Sequence, residues 1–361
     1  MLVRYPTRAF IDALSSETVT CRLLEETFRS HVDSYSLDIP LQNFTAGTLS
    51  SGKQWLIEAK QPTSSSLKRG LLHMHNSYIY ESNLSNDTIF KRIQDFRSAL
   101  PPGLFDKKEF TQITDKPLIL LTTHNNPNYF HWMTAPGTSP LFLAEYFSVP
   151  LLEDTQIAIS TRPTSASIAY PAEIVSLLSP NLQRVNSFFS TSTTQSIFAI
   201  HELRTSVVVN PTHIGWLRSK LRVYLKPSRN THKRLLVSRQ TAKSRRCLNE
   251  QSLSKSLSRY GFELVKLELL SVQDQLQLFS EAEIIISPHG AALANIVACN
   301  DRASVIEILP HPGPFHHYYM MSDTLNLRHG HLLADKYIPE TGDFYVTPDA
   351  LLKLMYGMNI L

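Results

Sequence analysis

Residues 283–310 read EIIISPHGAALANIVACNDRASVIEILP, and this stretch decides the predicted fold. The isoleucine run at 284–286 predicts a strand buried on both faces. Residues 287–290 predict a turn, because Pro fixes φ and Gly tolerates any φ. The small apolar stretch 291–297 predicts a helix close to a sheet, and 304–309 predicts the next buried strand. A turn that aims a helix N-terminus beyond a strand's carboxyl end suits a phosphorylated ligand.

The same alternation precedes this stretch. Strands are predicted at 233–238 and 262–267, and helices at 249–260 and 271–282, where Ser271 is the predicted N-cap. Strands alternating with helices of this length predict a doubly wound parallel α/β sheet. A chain of 361 residues favours two domains. We predict these parts of the chain: 1–212, an N-terminal α/β domain; 213–340, a C-terminal α/β domain; and 341–361, a closing helix that packs back on the N-terminal domain.

The N-terminal half carries weaker signals. Apolar spacing over 87–100 predicts a helix, and 117–123 predicts a buried strand. The polar run 190–196 is interpreted as a connector, and 206–209 as a short strand.

Composition limits the class of protein. Three widely spaced cysteines predict neither a disulfide framework nor a zinc site. With no visible signal peptide and no membrane-spanning apolar run, a cytoplasmic location is expected. Residues 203–249 contain no Asp or Glu but twelve Lys or Arg. This stretch leaves open a protein that binds nucleic acid or another polyanion.

The candidate anion-binding residues follow predicted strands. Arg239, Arg245 and Arg246 can converge on one anionic group, and arginine binds phosphate in a fork geometry. The alternative is a solvated basic loop. His289 and Gly290 lie in the predicted turn at 287–290, where the preceding strand and the following helix favour a ligand role.

Two further ionisable residues have open alternatives. Glu307 in a buried strand can accept ribose hydroxyl protons or form a salt bridge with an arginine. His131, beside Trp132, can serve as a general base or pack as a buried side chain.

The sequence predicts no metal site. The loop histidines at 311, 316 and 317 have no suitably spaced Cys or carboxylate, and the chain has no Asp-x-Asp pair.

These motifs together resemble glycosyltransferase family 61, whose known folds are of the GT-B type. The resemblance rests on SR through RR and NE at 238–250, IISPHGAALAN at 285–295, VIEIL at 305–309 and NYFHW at 128–132. It covers about 110–335 and is dense only after 230. After Trp132 the family usually continues with L-L-D-v-L-P-R. Here residues 133–139 are MTAPGTS, so that Asp and Arg are absent.

The resemblance implies a metal-independent, inverting transfer of a sugar from a nucleoside-diphosphate sugar, such as a UDP-sugar, to a hydroxyl acceptor, without a cofactor. It implies two Rossmann-like domains facing a cleft, with the acceptor on the N-terminal side and the donor on the C-terminal side. Polysaccharide or glycan assembly is the expected setting, and peripheral membrane association stays open. A non-catalytic relative that binds a nucleotide sugar is a further alternative.

The implied roles fall on individual residues. His131 is the candidate base, Arg239 with Arg245 or Arg246 stabilises the leaving diphosphate, and Glu307 holds the ribose. The remaining implied donor-binding residues, which contact the donor or support its loop, are Asn249, His289, Gly290, Ala291 and Asn295.

Overall fold

The structure is a computed structural model that describes part of the chain. The described residues are 19–29, 34–35, 46–49, 54–56, 64–81, 88–92, 112–114, 116, 118–121, 128–134, 137–146, 148, 154–159, 169–185, 190–201, 211–227, 232–311 and 317–361. Before residue 211, side chains are described only at 116, 119, 121, 128–134, 137–146, 148, 154–157 and 169–182. The predicted strand at 206–209 and the histidine at 316 lie outside the described residues.

The strands are numbered in chain order. They are β1 Val19–Arg29, β2 Ser34–Tyr35, β3 Ala46–Leu49, β4 Gln54–Leu56, β5 Ser64–Glu81, β6 Thr88–Arg92, β7 Gln112–Thr114, β8 Leu118–Leu121, β9 Gln156–Ile159, β10 Gln183–Val185, β11 Ser190–His201, β12 Lys233–Val237, β13 Phe262–Val265, β14 Ala282–Pro288, β15 Ser304–Leu309, β16 Arg328–Leu333, β17 Lys336–Tyr337 and β18 Phe344–Tyr345.

The helices are numbered in the same way. The α-helices are α1 Tyr129–Met133, α2 Ser139–Tyr146, α3 Tyr170–Leu178, α4 Pro211–Arg222, α5 Glu250–Ser258, α6 Val272–Ser280, α7 His317–Thr324 and α8 Pro348–Gly357. Two 3₁₀ helices are η1 Leu267–Leu269 and η2 Ala291–Ala298. Among the described helices, none combines the length and apolar character needed to cross a membrane.

The chain forms two compact units. Unit 1 comprises 1–27 and 66–213, and unit 2 comprises 28–65 and 214–361. This division differs from the predicted boundaries, because 28–65 joins the second unit. The predicted closing helix, α8, packs on α5 and β16 within unit 2. Its apolar face supplies Leu351, Leu354 and Met355 to the core there.

Unit 1 contains a mixed sheet in the order β1-β5-β11-β8-β9-β10, with β6 beside β5 and β7 beside β11. Strand β11 is antiparallel to β5 but parallel to β7 and β8, and the β8-β9-β10 pairings are parallel. Two local predictions in this unit were wrong. Residues 88–92 form strand β6 instead of helix, and the Ser/Thr-rich run 190–196 is part of β11. Thr favours strands, and cross-strand pairing outweighed the polarity of that run.

Unit 2 contains the predicted parallel sheet. Its order is β13-β12-β14-β15-β16, every one of these pairs is parallel, and β3 and β4 extend it beyond β16. Successive strand residues point to opposite faces. Ile284 and Ile286 join the apolar cluster that contains α5 and α8, while Ile285 is buried on the other face. Both faces of the sheet are therefore covered, as the isoleucine run predicts.

The elements in and just before residues 283–310 agree only partly with their predicted bounds. Ser271 caps α6, because its Oγ accepts the Asp274 backbone N–H at 3.1 Å. Strand β15 spans the predicted residues 304–309. The turn begins later than predicted, however. Pro288 ends β14 and pairs with Ile308 on β15, and the following helix has 3₁₀ geometry.

Candidate functional site

Two loops of unit 2 meet at the carboxyl edge of its sheet. Strands β12 and β14 are neighbours and parallel, so the residues that follow them lie side by side. A Cβ atom added to Gly290 would lie 2.9 Å from Cζ of Arg239 and closer still to its Nη1. The guanidinium therefore lies directly against the Gly290 backbone. Gly290 has an extended backbone with φ of 173°, so this close approach, and not its φ, calls for glycine.

A buried carboxylate fixes the start of the Arg239 loop. Glu250 at the start of α5 accepts the Ser238 hydroxyl at 2.9 Å and the Arg239 backbone N–H at 3.3 Å. The Arg239 side chain also donates from Nε to the Ser244 carbonyl at 3.1 Å. Glu250 is buried and belongs to the NE motif, but it was not among the predicted site residues.

The loop is strongly cationic around Arg239. Burial, followed by the charge of Arg245, lowers the pKa of Arg239 to about 10, so it stays protonated at neutral pH. Among the described residues, no carboxylate forms an ion pair with Arg239 or Arg245. Arg245 itself has a left-handed φ of 59°, and its backbone N–H bonds the Thr341 carbonyl. Two neighbouring cations without an acidic partner suit an anionic ligand.

The Tyr318 side chain interacts electrostatically with the two arginines of this loop, Arg239 and Arg245. Burial and then the Glu307 carboxylate raise the pKa of the Tyr318 hydroxyl, while Arg245 and Arg239 oppose that rise. Its ring lies 5.3 Å from the imidazole of His289. The ring of His317, which was predicted to be a loop residue, is 5.7 Å from His289 at the start of α7.

Arg246 and Asn249 hold the loop in place, and for Asn249 loop support was one of the two predicted roles. Arg246 pairs with Asp343 through Nη2 at 2.6 Å and Nε at 3.0 Å, and this pairing lowers the pKa of Asp343. Asn249 donates from Nδ2 to the Val346 carbonyl at 2.7 Å and accepts the Val346 N–H at 3.2 Å. Both contacts tie the loop to the segment before α8.

Asn295 and Ala291 lie on η2. Asn295 is fully buried and donates from Nδ2 to Gln275 of α6 at 3.0 Å, a contact that joins the two helices. Ala291 is the first residue of η2 after the Gly290 cap, so its N–H lies in the helix's first turn, where backbone donors face outward.

Glu307, the residue predicted to hold the ribose, is buried among three histidines. It is 0% exposed on β15, and its Oε1 accepts a hydrogen bond from Nδ1 of His289. Two further histidines, His329 and His331, present Nε2 to the other carboxylate oxygen, Oε2, at 3.3 Å each. The partners are thus three histidines, neither a ribose nor an arginine. Despite burial, His289 and its fellow histidines hold the pKa of Glu307 well below its ordinary value.

The sequence carries a signal for these two histidines, although neither was predicted to belong to a site. Residues 329–331 read HGH, and alternate residues of a strand share one face. Glu307 lies opposite His331 in the β15–β16 register. Burial, followed by His331, lowers the pKa of His329 to about 4, and its Nδ1 lies 2.8 Å from the Ser322 hydroxyl.

In unit 1, His131 lies on the short helix α1. Asn128 caps this helix by accepting the Phe130 N–H at 2.9 Å, and His131 is 6% exposed. Trp132 beside it is buried, and a Cβ at Gly137 would lie 2.6 Å from the Trp132 Cα. Gly137, in the altered segment after Trp132, thus lies directly against α1.

Five of the ten described lysines and arginines in the basic stretch 203–249 form ion pairs within unit 2. The ion pairs are Arg218 and Arg222 with Asp301, Lys233 with Glu281, Arg234 with Glu283, and Arg246 with Asp343. This pairing weighs against the polyanion-binding alternative, because charges already compensated attract phosphates weakly.

The fold is that of an α/β protein with a cationic loop at the carboxyl edge of a parallel sheet. Residues 129–306 match the model of the family Glycosyltransferase 61, so this chain belongs to glycosyltransferase family 61 and is a glycosyltransferase. The match begins at α1 with His131 and includes Arg239, His289 and Gly290. No curated protein matches the chain significantly.

Proposed function

We propose that this glycosyltransferase moves a sugar from a nucleoside-diphosphate sugar, such as a UDP-sugar, to a hydroxyl acceptor with inversion at the anomeric carbon. The observation that carries the proposal is the contact of the Arg239 guanidinium with the Gly290 backbone, beside Arg245 and without a carboxylate partner among the described residues. A diphosphate supplies the missing negative charge.

The donor residues act on the leaving group. The acceptor oxygen attacks the anomeric carbon while the bond from that carbon to the phosphate oxygen breaks, so negative charge grows on the diphosphate. Arg239 and Arg245, with the backbone N–H groups of Gly290 and Ala291, stabilise that charge electrostatically. These fixed cations perform the task that a divalent ion performs at other diphosphates, so no added metal is needed there. His289 positions the turn through Glu307.

The acceptor side is assigned to the N-terminal part of the chain. His131 takes the proton of the acceptor hydroxyl as general base. In this proposal the two parts of the chain act as donor-binding and acceptor-binding domains of GT-B type. Polysaccharide or glycan assembly is the setting that this chemistry suits.

The test uses the full chain, a panel of nucleotide sugars, and release of nucleoside diphosphate as the readout. We expect slow release from one donor, without added Mg²⁺ or Mn²⁺ and after brief exposure to EDTA. Arg239→Ala removes a charged hydrogen bond and weakens donor affinity by about 1.5–3 kcal/mol. The matched control is Arg259→Ala, because Arg259 is exposed and its Nε donates to the Ser256 carbonyl of its own helix.

Two results would reject the proposal. One is donor affinity that is equal in Arg239→Ala and Arg259→Ala. The other is binding that falls steeply with salt for any polyanion but shows no dependence on the nucleotide, which is the behaviour of a polyanion-binding protein.

A further inference from the structure

The strand register brings one carboxylate and two imidazoles to the same buried face. Glu307 on β15 is opposite His331 on β16, and His329 is two residues before His331 on the same face. All three side chains are 0% exposed. This face is the one turned away from the apolar cluster, which takes Ile306, Ile308 and Leu332 instead.

The three ligand atoms form a nearly equilateral triangle. Glu307 Oε2 lies 3.3 Å from Nε2 of His329 and 3.3 Å from Nε2 of His331, and the two Nε2 atoms are 3.2 Å apart. Zinc bonds to nitrogen and oxygen are about 2.0–2.1 Å, so the edge of a tetrahedron of zinc ligands is about 3.3 Å. An octahedral ion at the same bond length would place adjacent ligands about 3.0 Å apart. The observed edges match the tetrahedron.

Hydrogen bonds alone do not satisfy this cluster. One N–H between the two Nε2 atoms can join His329 to His331. Both Nε2 atoms lie 3.3 Å from Glu307 Oε2, but neither contact has hydrogen-bond geometry, and His331 Nδ1 has no hydrogen-bond partner among the described residues. A buried carboxylate oxygen without a partner is costly, and such orphan atoms are rare in folded proteins. A cation at the centre of the triangle would satisfy Oε2 and both Nε2 atoms at once.

Neighbouring groups orient the ligands as they do in metal centres. The Ser322 hydroxyl lies 2.8 Å from Nδ1 of His329, which fixes that ring. His289 Nδ1 holds the remaining carboxylate oxygen of Glu307. The ring of Tyr319 packs edge-on against both histidines, at 6.4 and 6.0 Å.

We propose that Glu307, His329 and His331 bind a divalent transition-metal ion, with zinc the best match. Three protein ligands leave a fourth position for a water molecule. This ion is separate from the diphosphate chemistry, because its ligands are buried. It joins β15 to β16 and, through Glu307 and His289, fixes the turn that carries Gly290.

The experiment measures metal binding by the full chain, not activity. Protein purified without a metal-affinity tag is first analysed for retained metal. It is then stripped with dipicolinate and titrated with Zn²⁺ in competition with a chromophoric chelator. We expect stoichiometric zinc in the native chain and, after Co²⁺ substitution, the intense visible absorption of tetrahedral cobalt. His331→Gln abolishes retention, while the control His232→Gln retains zinc, because His232 is exposed and lies beside Glu283 and not beside Glu307.

A second variant keeps the inference testable if His331→Gln fails to fold. Ser322→Ala leaves all three ligands in place and is expected to weaken zinc affinity about 10- to 100-fold through the orientation of His329. A native chain that retains no zinc and gives no tetrahedral cobalt spectrum would overturn the proposal. So would zinc retention in a folded His331→Gln variant equal to that of His232→Gln.

Discussion

Gly290→Ala provides the sharpest test of the donor site. The new Cβ would lie 2.9 Å from Cζ of Arg239, a distance that real Cβ atoms do not show, so the guanidinium must move. The backbone itself needs no change, because a φ of 173° is extended. The substitution therefore displaces one cation without removing it.

The expected magnitude follows from the group that is displaced. A hydrogen bond to a charged group contributes about 1.5–3 kcal/mol. If the guanidinium no longer reaches the diphosphate, the donor Kd rises about 10- to 100-fold. The stability of the fold should change little, because the group that must move is the far end of a flexible side chain.

The assay is calorimetric titration of the nucleotide-sugar donor, with thermal unfolding as a check on folding. Gly215→Ala is the matched control, since no atom lies within 4 Å of a Cβ at that helix position. It should leave the donor Kd unchanged and stabilise α4 by up to about 1 kcal/mol. In an Arg239→Ala background, Gly290→Ala should add almost no further loss, because both changes remove the same contact.

Two outcomes would refute this reasoning. A donor Kd that is unchanged in Gly290→Ala would mean that Arg239 does not bind the diphosphate from its observed position. Full additivity of Gly290→Ala and Arg239→Ala would mean that Gly290 acts on the donor by another route.

Three other expectations concern the fold and the acceptor side. Asn249→Ala should lower the free energy of unfolding by about 1–3 kcal/mol, because two hydrogen bonds to Val346 are lost, with the donor Kd unchanged; a changed Kd would contradict its structural role. Asp343→Asn should lower the melting temperature at pH 7. Arg246 depresses the folded-state pKa of Asp343, so this stabilisation is complete above the unfolded aspartate pKa of about 3.9 and is lost as the pH falls through the folded value. A difference in melting temperature between wild type and Asp343→Asn that persists at acid pH would exclude that ion pair as its cause. His131→Ala should lower turnover roughly 10²- to 10⁴-fold and spare donor affinity, and full retained turnover would remove His131 as the base.

The fold of unit 2 was largely readable from sequence because its signals are local. Buried isoleucine runs, the Ser271 cap and the alternation of strands and helices each act within a few residues. Unit 1 was read less well. Its strand at 190–201 contains Ser and Thr residues with no apolar periodicity over 190–196, and only pairing with β5, β7 and β8 explains why it is extended.

The candidate site, too, was predicted from the sequence only in part. Basic residues after one strand and a glycine turn after its neighbour are sequence facts, and the rule that parallel strands share a carboxyl edge predicted that they would meet. The sequence did not separate Arg239 and Arg245 from Arg246, because that depends on Asp343, which is remote in the chain and neutralises only one of them. The sequence did not show that Glu307 faces His329 and His331, because these histidines lie on β16 and only the strand register brings them to Glu307.

The sequence by itself therefore determined the family, the parallel α/β sheet of unit 2 and the loops that carry positive charge, because these depend on short-range patterns of polarity and backbone preference. Only the tertiary structure decided which arginines lack a carboxylate partner among the described residues and where the Arg239 side chain lies relative to Gly290. It also decided that one carboxylate and two imidazoles lie at the distances that separate the ligands of a metal ion. Those features depend on strand register and on contacts between residues far apart in the chain, and the energy of a buried charge is set by the groups that surround it.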